Sequence, residues 1–382
     1  MLTLYHLPVC NAPNFRKSGL YRFASTNTTC NSREAFWYNF SMRVRWSCLF
    51  ALLLSEVGFG SVNETLHAVT GDHVISRPNG PASLSGVTWV SNSTYLAATD
   101  WNPTLWELTL PLDGTTGKPL SCKVREHHKF SGSTDVEDIA VDPLDKSKLW
   151  IADELSATIR KIDARSGKEL ARLRMPVPLA KTRTDMGLES LTLSRDGLQL
   201  WTTSEEAVEA DGPISNNKRG TDVRLTRFRR KAADTDWQLD GQWIYRTDPK
   251  AGGSWKTGES GVDASRSGVS GLCLLDDGTL LALEREFSVV ILPRFRCRIY
   301  EVDFDHATEV SSRASITNSP ISRTGKCLLY ETTGFAMYEG ICEGPRLKDG
   351  ARSLILVSDG DHHTAESILS LKLERKRKRT SD

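Results

Sequence analysis

The chain has 382 residues, 39% hydrophobic and 25% charged, with 49 Lys and Arg against 48 Asp and Glu. That composition excludes a largely disordered chain, a collagen and a multi-span membrane protein, and a net charge of +1 gives no reason to expect nucleic acid as a partner. The balance is uneven: residues 61–373 hold 38 basic and 44 acidic side chains, so a mildly acidic body lies between two basic ends. In chain order, residues 1–41 carry a single acid, Glu34, and read as a non-native or transit extension. Residues 42–60 then read as a secretory signal: Arg43 and Arg45 precede a short apolar run from Trp46 to Leu54, and Gly58-Phe59-Gly60 supplies small residues for cleavage. The apolar run is too short to span a bilayer, so the mature protein is expected to be secreted or periplasmic, without a membrane span, and monomeric.

Beyond residue 80 the sequence breaks into short β-rich runs punctuated by Asp-Gly, Asn-Pro and Ser-Gly. A two-strand unit recurs. Its first strand begins at Ser85-Gly-Val, Glu137-Asp-Ile, Glu189-Ser-Leu, Ser270-Gly-Leu and Glu339-Gly-Ile; its second strand ends at Asp100, Asp153-Glu154, Glu205-Glu206, Glu284-Arg285-Glu286 and Asp359-Gly-Asp361. Two further strands follow most copies, as in Thr158–Asp163, Val223–Phe228 and Arg298–Asp303. Four strands per repeat is the pattern of a β-propeller blade. The expectation is an all-β propeller over 61–373, with five blades and six as the alternative, because the third and fourth spacings are long. The last copy shows only three strands before the chain ends, and residues 65–77 are the expected source of its fourth. Residues 374–382, with five bases, read as a basic disordered tail.

In such a blade the first strand starts at the face to which the second returns, so the repeated acids gather at one axial mouth. The set is Asp100, Glu137, Asp138, Asp153, Glu154, Glu189, Glu205, Glu206, Glu284, Glu286, Glu339, Asp359 and Asp361. Carboxylates at that density repel one another unless compensated. Ca²⁺ or another divalent cation is the natural remedy, being a hard ion that takes oxygen ligands. The expected metal ligands are Glu137, Asp138, Asp153, Glu339, Asp359 and Asp361, whereas His362 and His363, which follow them, read as exposed loop histidines. Lys181, Arg183, Arg266 and Arg285 bring positive charge to the same face, which suits an anionic substrate such as a phosphate ester. Glu189 or Glu205 is the expected general base, and Arg285 the group that holds a phosphate oxygen. The sequence has no Gly-x-Ser-x-Gly, HExxH or P-loop, so metal-activated water is favoured over a serine nucleophile.

These stretches resemble the phytase-like family, whose domain is described as esterase-like activity of phytase. The matching residues are Asp135–Pro143, Gly187–Leu191 with Leu200–Glu206, Ser270–Leu272 with Leu283–Phe287, and Tyr338–Ile341 with Val357–Asp361, within a span from about 80 to 373. The resemblance implies a secreted or periplasmic propeller that hydrolyses phosphate or other esters. The reading is a metal-dependent hydrolase of phosphomonoesters. Its alternatives are a divalent-metal lactonase or carboxylesterase on a similar propeller, and a non-catalytic propeller that binds a partner across its face.

Overall fold

The computed structural model describes residues 64–68, 73–75 and 80–375, apart from 101, 133–134, 184–185, 252–255, 258–261, 264–265, 290–292 and 361–365. The expected extension 1–41, the expected signal 42–60, Asp361, His362 and His363, and most of the basic tail lie outside the described residues. Chain contacts separate a unit of 62–256 and 263–382 from a unit of 1–61 with 257–262.

Five antiparallel sheets of four or five strands make up the larger unit. The first blade is Leu84–Ser91, Thr94–Thr99, Thr104–Thr109 and Lys123–Lys129. The second is Val136–Val141, Lys148–Asp153, Thr158–Asp163 and Glu169–Arg174. The third is Leu188–Leu193, Gln199–Ser204, Asp222–Arg229 and Gln238–Arg246, and the fourth is Arg266–Leu274, Leu280–Val289, Pro293–Asp303 and Gly325–Gly334. The fifth takes Met337–Glu343, Arg352–Asp359 and Glu366–Arg375 from the end of the chain and Glu64–Ala68 from its beginning, with His73–Ile75 pairing the same third strand. The ring is thus a five-bladed propeller closed by pairing the two ends of the domain. Each first strand touches those of the blades before and after it, around the full circle.

Why these strands stack face to face is clear from their burial. An isolated antiparallel sheet with one wet face alternates apolar and polar residues. Here the second strand of the first blade, Thr94–Thr99, is buried at five consecutive positions. Tyr95 and Ala97 join the apolar cluster shared with the fifth blade, whereas Leu96 and Ala98 join the cluster shared with the second. Three further clusters fill the remaining blade interfaces. The outer strands Lys123–Lys129 and Glu169–Arg174 are mostly exposed and rich in charge, which also discourages edge-to-edge association.

The long third and fourth repeats are insertions, not a sixth blade. Residues 205–221 include a 3₁₀ turn at Glu209–Asp211. Residues 304–324 run along the outer edge of the third blade, with Val310 N donating to Gln242 O at 2.8 Å and Thr324 N to Ile244 O at 2.9 Å. A buried Arg224–Asp211 pair, at 2.6 and 2.9 Å, ties the first insertion down.

The channel poses a separate problem, because the inner edge of each first strand has no neighbour in its own sheet. Side chains of adjacent blades supply the partners. Thr88 Oγ1 accepts from Val141 N at 3.2 Å, Asp138 Oδ2 from Leu191 N at 2.7 Å and Thr192 Oγ1 from Leu274 N at 3.0 Å, while Ser85 Oγ donates to Val136 O at 2.6 Å. The inner strands pack so closely that a Cβ on Gly86 would lie 2.6 Å from Asp138 Cα, and one on Gly271 2.7 Å from Glu339 O.

Candidate active site at the acidic mouth

Every inner strand carries a β-bulge at the same position of the repeat. The register skips Ser85, Glu137, Glu189, Ser270 and Glu339 in blades one to five. A bulged residue leaves the ladder and its side chain is re-aimed. At two positions that side chain is a serine, which bonds the next blade: Ser85 as above, and Ser270 Oγ to Tyr338 O at 3.3 Å. At the other three it is a glutamate, and all three are buried.

The glutamates converge. Burial, then the neighbouring charges of Glu189, Asp135, Glu154 and Asp100, push the Glu137 carboxyl well above the usual range. Glu189 is pushed up by burial and then by Glu205 and Glu154, with Arg285 opposing. Glu339 is pushed up by burial; Arg285 opposes, and Asp359, Asp100 and Glu205 add to the rise. Asp100 bears on both Glu137 and Glu339, so the ring of charge closes through the first blade. Among the described residues neither Glu137 nor Glu189 has a hydrogen-bond or ion-pair partner, although only 7% and 8% of their surfaces are exposed. Ligand oxygens of Asp100, Asp135 and Glu137 all lie within 4.8 Å of one another.

Arg285 is the cation of the mouth. It leaves the second strand of the fourth blade and spans two others. Nη1 donates to Glu339 Oε1 at 2.5 Å, and Nη2 donates to Glu205 Oε1. Burial works against its charge, but Glu205, Glu339 and Glu189 outweigh burial and hold the guanidinium well above its ordinary pKa.

The remaining acids of the repeat have other partners. Asp138, one of the expected metal ligands, accepts from backbone with both oxygens, Ile139 N at 2.8 Å and Leu191 N at 2.7 Å. Asp153, another expected ligand, accepts from Ser156 N at 3.1 Å and pairs with buried Arg160 at 3.4 Å, inside its own blade. Glu154 holds Gly187 N at 2.8 Å, and Glu206 holds Ser215 N at 2.7 Å. Glu284 accepts from Tyr245, Asp248 N and Lys326, and Glu286 from Ala251 N and Arg298. Asp359 stands at the end of its strand, close enough to Glu339 to raise it.

The other basic residues are less central than Arg285. Arg183 spends its guanidinium on Ala207 O at 2.8 Å and Gly212 O at 2.7 Å, which fixes the first insertion rather than presenting charge to the channel. Lys181 is exposed, and Arg266 is half-buried at the start of its strand, opposite Phe287. Asp135 is a candidate site residue that the repeat pattern does not mark. It precedes the strand by one position and has no counterpart in the other copies; the signal that finds it is proximity to Asp100, which belongs to another blade.

The chain also matches a known family. A family model described as "Phytase-like: Esterase-like activity of phytase" matches residues 81–362. The chain belongs to the phytase-like family. No curated protein matches it. Solved structures with a similar chain path include a streptogramin B lyase (12% identity, 82% of this chain and 98% of that one, TM-score 0.32). A glutaminyl cyclase from Myxococcus xanthus is similar at 11% identity, 80% and 97% coverage and TM-score 0.35. A chain of a nidogen/laminin complex is similar at 9% identity, 82% and 99% coverage and TM-score 0.35. No helix among the described residues of this phytase-like chain is long and apolar enough to cross a membrane.

Proposed function

We propose that this phytase-like protein is a secreted, metal-dependent hydrolase of phosphomonoesters. One observation carries the reading: Glu137, buried and without a hydrogen-bond partner among the described residues, shares a 4.8 Å cluster with Asp100 and Asp135. A buried carboxylate is costly unless paired or bound to a metal, and Arg285, the cation of this mouth, is engaged by Glu205 and Glu339. The donor set is all oxygen, as Ca²⁺ prefers. Asp100, Asp135 and Glu137 would hold the ion, with Glu189 beside them. A divalent cation held there lowers the pKa of a bound water and polarises a phosphoryl oxygen.

The chain's own groups then divide the work. Glu189, close to Glu205 and Glu154 but with no hydrogen bond to another described residue, is disposed to accept a proton from water. Arg285 keeps Glu205 and Glu339 from repelling an incoming anion, and its remaining N–H groups can reach a phosphate oxygen. A second reading, hydrolysis of an uncharged carboxylester or lactone, is favoured by the same residue: with both Nη atoms on glutamates, Arg285 has less to offer a phosphate. Hydrolysis of p-nitrophenyl phosphate and p-nitrophenyl acetate, each with calcium and with EDTA, separates the two. Calcium-dependent turnover of the phosphate ester, lost in Glu137→Gln, supports the first reading. Turnover of the acetate alone supports the second. Calorimetry with calcium that shows no binding would remove both metal-dependent readings.

A further inference from the structure

A second convergence of charge lies outside the channel, on the outer half of the third blade. Asp222 begins the third strand there, two strands out from the inner strand headed by Glu189, which is about 10 Å by strand spacing. It is 2% exposed, and three guanidiniums close on it. Arg246, its register partner on the fourth strand, donates through Nε to Oδ1 at 2.8 Å and through Nη2 to Oδ2 at 2.6 Å. Arg323, from residues 304–324, repeats that fork at 2.8 and 3.1 Å. Arg219, from residues 205–221, adds Nη2 to Oδ2 at 2.9 Å. The backbone holds Arg219 in place: its N–H donates to Asn216 Oδ1 at 3.0 Å, and Gly220 packs so tightly that a Cβ there would lie 1.7 Å from Thr247 O.

One carboxylate cannot satisfy this set. Its two oxygens offer about four lone-pair sites, and five N–H groups already approach them. Three guanidiniums against one carboxylate also leave two positive charges in excess. Among the described residues no other carboxylate pairs with them. Asp248 is held by Lys326 at 2.8 Å and Asp211 by Arg224 at 2.6 Å, while Glu309 accepts from Gln242 N at 2.9 Å and Ser311 N at 2.7 Å. A clasp that only tied the two insertions to the blade would need one arginine from each, and Arg246 belongs to neither. The three Nη1 groups have no acceptor among the described residues, and Arg219 Nε is in addition shielded from solvent without one, a costly state for a charged donor. The side chains are still 40%, 35% and 34% exposed for Arg219, Arg246 and Arg323, so a ligand can reach them.

We propose that Arg219, Arg246 and Arg323 form an anion site, separate from the acidic mouth, for a phosphate or sulfate group carrying two negative charges. Asp222 holds the guanidiniums together, and the dianion takes the N–H groups that Asp222 leaves over. Planar guanidinium forks suit the edges of a tetrahedral oxyanion, and the excess of two charges favours a dianion over a monoanion.

The test is calorimetric titration of the full chain with sodium sulfate near pH 8, in EDTA and at constant ionic strength. Sulfate is not a phosphomonoester and EDTA removes divalent ions from the mouth, so the outcome does not depend on the hydrolase reading. Saturable binding of one sulfate per chain is expected, with nitrate weaker by about ten-fold or more. Arg219→Gln leaves Asp222 both of its two-bond partners, so circular dichroism should show the fold kept while sulfate weakens by about ten-fold, the scale of one charge-assisted hydrogen bond. Arg323→Gln should weaken it by a similar factor. Phenyl phosphate binding as tightly as inorganic phosphate would assign the esterified group as the ligand, and inorganic phosphate binding alone would assign the free anion. Arg285→Lys should leave sulfate affinity unchanged; a loss there would place the anion in the mouth and overturn the proposal. No saturable sulfate binding, equal binding of nitrate, or unchanged affinity in both Arg219→Gln and Arg323→Gln would overturn it as well.

Discussion

Removing the guanidinium of Arg285 tests how the acidic mouth is held together. Arg285→Met keeps most of the stem and deletes the charge. Glu205 and Glu339 are then left without their cation, at 4% and 10% side-chain exposure, against 18% for Arg285 itself. Breaking a buried ion pair from one side costs about 3–5 kcal/mol. Two carboxylates lose a partner here, which places the expected loss in the upper half of that range. The loss should depend on pH. Glu339 and Glu189 already sit above the usual carboxylate range, and both lose the opposing effect of Arg285. A group whose pKa is raised by folding contributes stability below its unfolded pKa and loses it as pH rises through the folded one. The deficit should therefore be largest near pH 8 and shrink on acidification toward about pH 5, as the orphaned glutamates take up protons. Urea unfolding followed by circular dichroism at both pH values measures it. Arg285→Lys, which keeps the charge but cannot span two carboxylates, should fall between the variant and the parent. A deficit below about 1 kcal/mol at pH 8, or one that grows on acidification, would refute the account of Arg285 as the counter-ion of this ring.

Three other outcomes are expected from the same packing. Burial, then Glu205, raise Glu206 to about 7 against hydrogen bonds from Ser215; its folded form prefers the proton, so Glu206→Gln should gain stability relative to the parent as pH rises from about 4.5 to about 7, and a difference between the two that stays flat or shrinks over that interval would contradict this. Asp222 is lowered to about 2: burial opposes, but Arg246 and Arg323 prevail. Its contribution, about 2 kcal/mol at neutral pH, is present above the unfolded pKa and is lost as pH falls toward about 2, so Asp222→Asn should cost that much at pH 7 and roughly half by pH 3 in urea titrations. Deleting residues 1–79 removes the strands that pair with Glu366–Arg375; the bared edge should lower the melting temperature and promote association in light scattering, and a monodisperse protein of unchanged melting temperature would show that ring closure does not depend on them.

The periodicity of the chain by itself determined the architecture. A repeat that places Ser85, Glu137, Glu189, Ser270 and Glu339 at the head of one strand, and acids at the end of the next, is local information, because pairing within a blade is set by strand pattern and turn residues. The same pattern indicated that residues 65–77 would close the ring. It also marked the five bulged positions, without revealing that they are bulges. The division of labour among the acids was not in the sequence. Glu137 and Asp138 are neighbours of the same chemical type, yet one faces the mouth without a partner among the described residues and the other closes two backbone bonds of the channel wall. That difference arises because the bulge takes Glu137 out of the ladder and because Leu191 N, 53 positions away, meets Asp138 only when the second and third blades pack. Asp135 gains meaning in the same way, through Asp100 of the preceding blade, and Arg285 through glutamates of two others. Which donor each buried carboxylate meets is decided between blades, by contacts whose partners are remote in sequence, and only the tertiary structure brings them together.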